Sequence, residues 1–118
     1  MRRLSPRQAW DAIHSGALLV DTRTEMQRMV QGELPAGLVI DRTVLEWRLD
    51  PASSSRIPEA VHYDLEIIVA CRQGYSSSLA AASLRSLGMW QATDIVGGVE
   101  AWREQGLPIG NGPVDIRY

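Results

Sequence analysis

A single cysteine, Cys71, opens the run Cys71-Arg72-Gln73-Gly74-Tyr75-Ser76-Ser77. The apolar residues before it predict a strand over 66–70, and the Ala- and Leu-rich stretch behind it predicts a helix over 76–87, ended by Gly88. A thiol at a strand-to-helix turn meets the free N–H groups of the loop and of the first helical turn. Those donors and the positive end of the helix stabilise a thiolate, so the thiol is expected below its ordinary pKa. Gly74 lets so short a loop curl, and Arg72 sets a fixed positive charge beside the sulfur, suited to an anionic substrate. Free cysteine is also among the most buried residue types and ends many strands as inert packing. Local features leave both readings open.

The elements that would position this loop alternate along the chain. Ser5-Pro6 starts a helix that Gly16 closes near Ser15, with Ser at the cap and Pro in the first turn. The apolar run 17–20, stopped by Asp21, predicts a buried strand. A short helix capped by Thr24 covers 24–30, a strand covers 38–40 before Asp41, and 44–49 predicts another short helix. Residues 51–58 are a surface loop, 93–96 a last strand, 99–105 a last helix, and 113–118 a loose tail. Alternating strands and helices imply a parallel sheet with helices on both faces. Sites in such sheets lie beyond the carboxyl ends of the strands. Asp21, Asp41, Cys71 and Gly97-Gly98 end the predicted strands, so they should share one edge.

Composition narrows the chemistry. The chain has 118 residues, enough for one domain, with 45% hydrophobic and 22% charged residues, an ordinary balance for a folded protein. Its net charge of −2 offers no basic field for nucleic acid or anionic lipid. All twelve basic residues are arginine, which excludes Schiff-base and phosphate-loop lysines. One cysteine allows neither an internal disulfide nor a paired-cysteine metal knuckle, and His14 and His62 have no ligand-like neighbours, so no metal is expected. The apolar runs fall far short of the ~20 residues of a membrane span. Arg2-Arg3 is followed by Leu4-Ser5-Pro6 rather than an apolar stretch, so no signal peptide is expected. A lone thiol suits a reducing cytoplasm.

Four segments, in order, resemble one family. The Cys71 loop is similar to the Cys-Arg-x-Gly-x-Ser loop of the rhodanese-like sulfurtransferases. Val20-Asp21-Thr22-Arg23 resembles the family's Val-Asp-x-Arg. Gly32-Glu33-Leu34-Pro35-Ala36-Gly37 resembles its Gly-His-Ile-Pro-Gly-Ala turn, with Glu33 in place of the usual His and the Gly/Ala pair exchanged. Gly97-Gly98-Val99-Glu100-Ala101-Trp102, with Gly106-Leu107-Pro108-Ile109, resembles its closing Gly-Gly-x-x-x-Trp…Gly-x-Pro. The resemblance spans about residues 2–110, taken as the domain, with 111–118 as a C-terminal tail. It implies an α/β fold, a three-layer α/β/α sandwich around a five-stranded, mostly parallel sheet, with the extra strand near Arg3-Leu4. It also implies sulfur transfer through a Cys71 persulfide, with no organic cofactor or metal required. The partners implied are a small sulfur donor such as thiosulfate, or a protein persulfide, and a thiol or cyanide-like acceptor.

Catalysis is thus expected at Cys71, with Arg72, Gln73, Gly74, Tyr75 and Ser76 binding substrate. Asp21 is expected to support the loop by accepting its N–H groups, and Arg23 to reach the site or form an ion pair with Asp21, Glu25 or Glu46. Arg42 and Glu46 either rim the pocket or pair on the surface. Trp47, Trp90 and Trp102 are expected to pack, His14 to be solvated, and Ser76, Ser77 and Ser78 to cap the helix. Two other readings compete. A phosphatase or arsenate reductase of the cell-cycle phosphatase type would need an arginine at position 77, which is Ser77. A non-catalytic partner-binding module of the same family would not need the cysteine that this chain retains.

Overall fold

A computed structural model describes residues 2–118. The first two helices begin where side chains can satisfy the orphan N–H groups of a first turn. Ser5 and Gln8 form a reciprocal capping box at α1 (Pro6–His14), and Thr24 and Gln27 do the same at α2 (Glu25–Gln31). Between them runs β1 (Leu18–Asp21), followed after α2 by β2 (Gly37–Val39). A 3-10 turn over Arg42–Val44, capped by Asp41, leads into α3 (Leu45–Leu49). The second half comprises β3 (Ile67–Ala70), α4 (Tyr75–Ser86), β4 (Ala92–Asp94), α5 (Gly98–Glu104) and β5 (Asp115–Ile116).

The sheet has five strands in the order β4-β3-β1-β2-β5, and every neighbouring pair is parallel. Alternation along the strands divides the apolar side chains between two cores. Val20, Ile67 and Val69 face the side packed by Leu45, Leu49, Ala80 and Leu84 of α3 and α4. Leu19, Ile68 and Ala70 face the side packed by Ala9, Val99 and Trp102 of α1 and α5. The three-layer α/β/α architecture follows, with the interior strand β3, between β4 and β1, buried along its whole length. Among the described residues, no helix is long and apolar enough to cross a membrane, and no group of three or more His, Cys, Asp or Glu side chains could hold a metal ion.

Two expectations need correction. The fifth strand is not near Arg3-Leu4; Leu4 makes only an isolated parallel bridge with Ile95, beside the end of β4. The tail is not loose either, because Asp115–Ile116 is itself the fifth strand, paired with β2. Both of its residues are exposed, so no apolar pattern marks them. What holds them is the free edge of β2 and the Arg117 guanidinium, which donates to both oxygens of Glu59 at 2.8 and 2.6 Å. The N-terminal segment goes to the other end of the sheet because Leu4 N–H donates to the Asp94 carbonyl and Val96 N–H to that of Leu4.

Candidate active site

Parallel pairing brings the carboxyl ends of β1, β3 and β4 to one edge, where Asp21, Ala70 and Asp94 fall in adjacent register positions. Cys71 leaves β3 there and is 5% exposed. The loop behind it is turned inside out by its neighbours. Its carbonyls point outward, where Val99 N–H donates to the Cys71 carbonyl at 2.9 Å and Glu100 N–H to that of Arg72 at 3.1 Å. Arg3 donates to the Gly74 carbonyl at 2.7 Å. With the carbonyls held outward, the N–H groups face the sulfur: Gly74 N–H lies 3.1 Å and Ser77 N–H 3.4 Å from Cys71 Sγ. Among the described residues, no backbone carbonyl takes a loop N–H between Arg72 and Ser76.

This arrangement depends on the glycine pair at the start of α5. Gly98 has φ +62°, and a Cβ there would lie 2.6 Å from both the Cys71 carbonyl oxygen and the Gly74 nitrogen. Only hydrogen at that position lets the α5 N-terminus reach the loop's carbonyls. Gly74, with φ +90°, is equally pressed, its imaginary Cβ lying 2.8 Å from Gly97 N.

Burial raises the Cys71 pKa, but the donors outweigh it. The Ser77 and Ser76 hydroxyls and the N–H groups of Ser77 and Gly74 bring it below the ordinary cysteine value. The sulfur borders a hollow of about 190 Å³ lined by Thr22, Gln27, Cys71, Arg72, Gln73, Tyr75 and Ser76. Arg72 is exposed at this mouth and its guanidinium forms no ion pair among the described residues. Tyr75 is 78% exposed, its ring free to contact whatever enters. Gln73 reaches outward to Glu100, 3.0 Å away.

Of the remaining expected residues, Asp21 ends β1 level with the last residue of β3. Asp21 receives the Arg23 backbone N–H and a two-pronged guanidinium contact at 3.0 and 2.8 Å, with both side chains buried. It accepts none of the loop's N–H groups; the link is indirect, through Gln31, which approaches both the Arg23 guanidinium and the Arg72 carbonyl at 3.4 Å. Arg42 and Glu46 pair with each other, and Glu46 accepts from Ser83, so neither rims the mouth. Trp102 is buried and donates to the Pro108 carbonyl, whereas Trp47 and Trp90 are 62% and 56% exposed rather than packed. His14 lies against the Trp10 ring, with Nδ1 2.8 Å from the Trp10 carbonyl oxygen.

The serine cap reading fails at Ser77. Gly74 occupies the cap of α4 without a side-chain bond, and Ser77 is wholly buried, its Oγ 3.2 Å from Cys71 Sγ and 2.7 Å from Asp94 Oδ2. Asp94 in turn takes the Arg3 guanidinium on both oxygens, at 2.8 and 3.0 Å. Sequence reading missed Asp94 and Arg3 as site residues. A strand predicted over 93–96 hides Asp94 in mid-strand, whereas β4 ends at Asp94, as β1 ends at Asp21. A carboxylate at a strand end was the available signal.

The chain is 29% identical over 108 residues to a thiosulfate sulfurtransferase GlpE of Haemophilus influenzae, covering 92% of this chain and 93% of that one. It is 35% identical over 92 residues to a sulfurtransferase of Allochromatium vinosum, covering 78% and 77%. Among solved structures, the human single-domain sulfurtransferase TSTD1 superposes with a TM-score of 0.71 at 26% identity, covering 89% of this chain and 97% of that one. A Rhodopseudomonas palustris protein of unknown function, described as a possible tyrosine phosphatase, superposes with a TM-score of 0.82 at 29% identity, covering 92% and 84%. The rhodanese-like domain profile matches residues 5–105, and with the thiol loop, the double-glycine turn and the parallel sheet in place, the chain belongs to the rhodanese-like domain family.

Proposed function

We propose that this protein is a sulfurtransferase that carries a sulfane sulfur on Cys71 as a persulfide, with thiosulfate as a suitable donor and a thiol or cyanide as acceptor. The observation that carries the reading is the convergence of the Gly74 and Ser77 N–H groups and the Ser77 hydroxyl on one buried sulfur that borders an open hollow. In the first half-reaction the Cys71 thiolate attacks the outer sulfur of thiosulfate. A new S–S bond forms, the donor's S–S bond breaks, and sulfite leaves with the electron pair. In the second, the acceptor attacks the outer sulfur of the persulfide, and the Cys71 thiolate is regenerated as thiocyanate or an acceptor persulfide departs.

Each loop feature has a place in this cycle. The inward N–H groups hold the negative charge of the thiolate and then of the terminal persulfide sulfur, as an oxyanion hole holds oxygen. Arg72 at the mouth attracts and orients a dianionic donor. The hollow of about 190 Å³ admits a small donor, and its open side equally admits the persulfide of a carrier protein. A reducing cytoplasm would keep the single thiol in working form.

Intact mass spectrometry tests the reading. After incubation with thiosulfate the protein is expected to gain one sulfur atom, removed by cyanide or dithiothreitol, while Cys71→Ser gains none. An unmodified wild type across small and protein persulfide donors would overturn catalysis and leave a partner-binding module. Substantial aryl phosphate hydrolysis lost in Cys71→Ser would overturn it in favour of a phosphatase. That outcome is not expected, because Ser77 supplies no guanidinium fork for the phosphoryl oxygens.

A further inference from the structure

The cycle above leaves the buried carboxylate of Asp94 unused. Asp94 is 1% exposed, ends β4 beside β3, and lies between Arg3 and Ser77. Ser77 Oγ stands between Asp94 Oδ2 at 2.7 Å and Cys71 Sγ at 3.2 Å. A serine hydroxyl has one proton, and a carboxylate can only accept. With the Asp94 carboxylate at the shorter distance, that proton is directed to Asp94, and Ser77 Oγ turns a lone pair toward the sulfur. A lone pair suits a Cys71 thiol, which donates its S–H, and opposes a thiolate. Once the sulfur bears charge, the hydroxyl gains by rotating to donate to it, and Asp94 keeps only Arg3.

We propose that Asp94 is a positioning residue that competes with the Cys71 sulfur for the single Ser77 proton, and that Arg3 decides the balance. Arg3 is well placed to do so. One guanidinium binds both Asp94 oxygens and the Gly74 carbonyl of the loop, and so weakens the carboxylate's hold on Ser77 while fixing the loop. The other charged groups around the sulfur are Arg72 in the loop, the Asp21–Arg23 pair at the end of β1, and Glu100 on α5, which is engaged with Gln73. None of them bonds to Ser77. The proposal rests on Cys71 being the reactive group but does not require that sulfur transfer be its chemistry.

The consequence is a pair of opposite signs. Asp94→Asn keeps the shape but weakens the acceptor, so the Ser77 proton goes to the sulfur and the thiolate is favoured. Arg3→Gln leaves the carboxylate uncompensated, so it holds the proton harder and the thiolate is disfavoured. The readout is the rate of Cys71 alkylation by iodoacetamide across pH, with folding checked by circular dichroism. Asp94→Asn is expected to lower the midpoint by about 1 pH unit, the size of one charge-assisted hydrogen bond, or roughly tenfold more thiolate at a given pH below the midpoint. Arg3→Gln is expected to raise it. In a Ser77→Ala background both shifts should shrink to a minor fraction, because the relay is gone.

A merely structural pair would move both variants the same way, by loosening one loop. That result, an unchanged midpoint in Asp94→Asn, or a shift that persists in full without Ser77, overturns the proposal. If Asp94→Asn does not fold, Arg3→Gln with and without Ser77 decides the matter, since Arg3 is 43% exposed and removable without opening a core. Alkylation needs no sulfur donor, so this test stands or falls separately from persulfide formation.

Discussion

Replacing Gly98 with alanine tests how the loop is built. At φ +62° the new Cβ would sit 2.6 Å from the Cys71 carbonyl oxygen and the Gly74 nitrogen, and 2.8 Å from the Gln73 nitrogen, all of them backbone atoms that no rotamer change can move. Relief requires α5 to back away from the loop. That costs the bonds from Val99 N–H to the Cys71 carbonyl and from Glu100 N–H to the Arg72 carbonyl. Gly106 supplies the control, since it has a similar φ of +71° but no atom within 4 Å of its imaginary Cβ. Gly106→Ala pays only the left-handed backbone strain, about 1–2 kcal/mol. Gly98→Ala adds two stranded carbonyls at about 1–2 kcal/mol each, for a total of roughly 3–6 kcal/mol.

Against a total stability of about 5–15 kcal/mol, that loss is large. Thermal unfolding followed by circular dichroism should place Gly98→Ala on the order of 10–25 °C below wild type, with Gly106→Ala only a few degrees below. Cys71 alkylation at neutral pH should slow in Gly98→Ala, because the N–H groups turn away from the sulfur once the carbonyls are released. Gly106→Ala, far from the loop, should alkylate like wild type. If the two variants melt within a few degrees of each other, the glycine pair does not set the loop, and the reasoning fails.

Three further outcomes are expected. Arg72→Ala should lose about ten- to a hundredfold in thiosulfate kcat/KM, the size of one charge-assisted contact of ~1.5–3 kcal/mol, while keeping most of its alkylation by a neutral reagent; equal loss in both would mean that Arg72 holds the loop instead. The thiolate of native Cys71 should persist to lower pH than an unfolded cysteine, so the alkylation midpoint lies below about 8.5 and returns there in denaturant. Since the folded value is the lower one, the linked stability is present above the unfolded value and fades as pH falls through the folded one; a native midpoint at or above the denatured one would contradict the site's electrostatics. Arg117 holds Glu59 below the usual carboxylate range, so this contact to β5 is present above the unfolded carboxylate value and weakens as pH falls through the folded one; Arg117→Ala should free residues 115–118 to hydrogen exchange at neutral pH without changing Cys71 alkylation, and unchanged protection of the tail would refute that anchor.

Much of this protein is written locally in its sequence. A strand, a short loop and a helix that follow one another along the chain place Cys71, Gly74 and the first turn of α4 next to one another, although distant segments set the loop's exact shape. The capping boxes at Ser5 and Thr24 and the alternation of strand and helix are equally local, and they imply a parallel sheet whose loops share an edge. What tertiary structure alone decided are the contacts between segments far apart in sequence. Asp94 meets Ser77 across 17 residues and Arg3 across 91, and neither neighbour leaves a mark on the residues around it. The double glycine is visible as a motif, yet its purpose emerges only when α5 is laid against the Cys71 loop backbone to backbone. β5 was illegible because both its residues are exposed and its pairing is dictated by the open edge of β2 and by Arg117 finding Glu59. Periodicity records which side chains a segment buries. It carries no record of which distant carboxylate or guanidinium completes a buried polar chain, because that partner is chosen by the packing of the sheet.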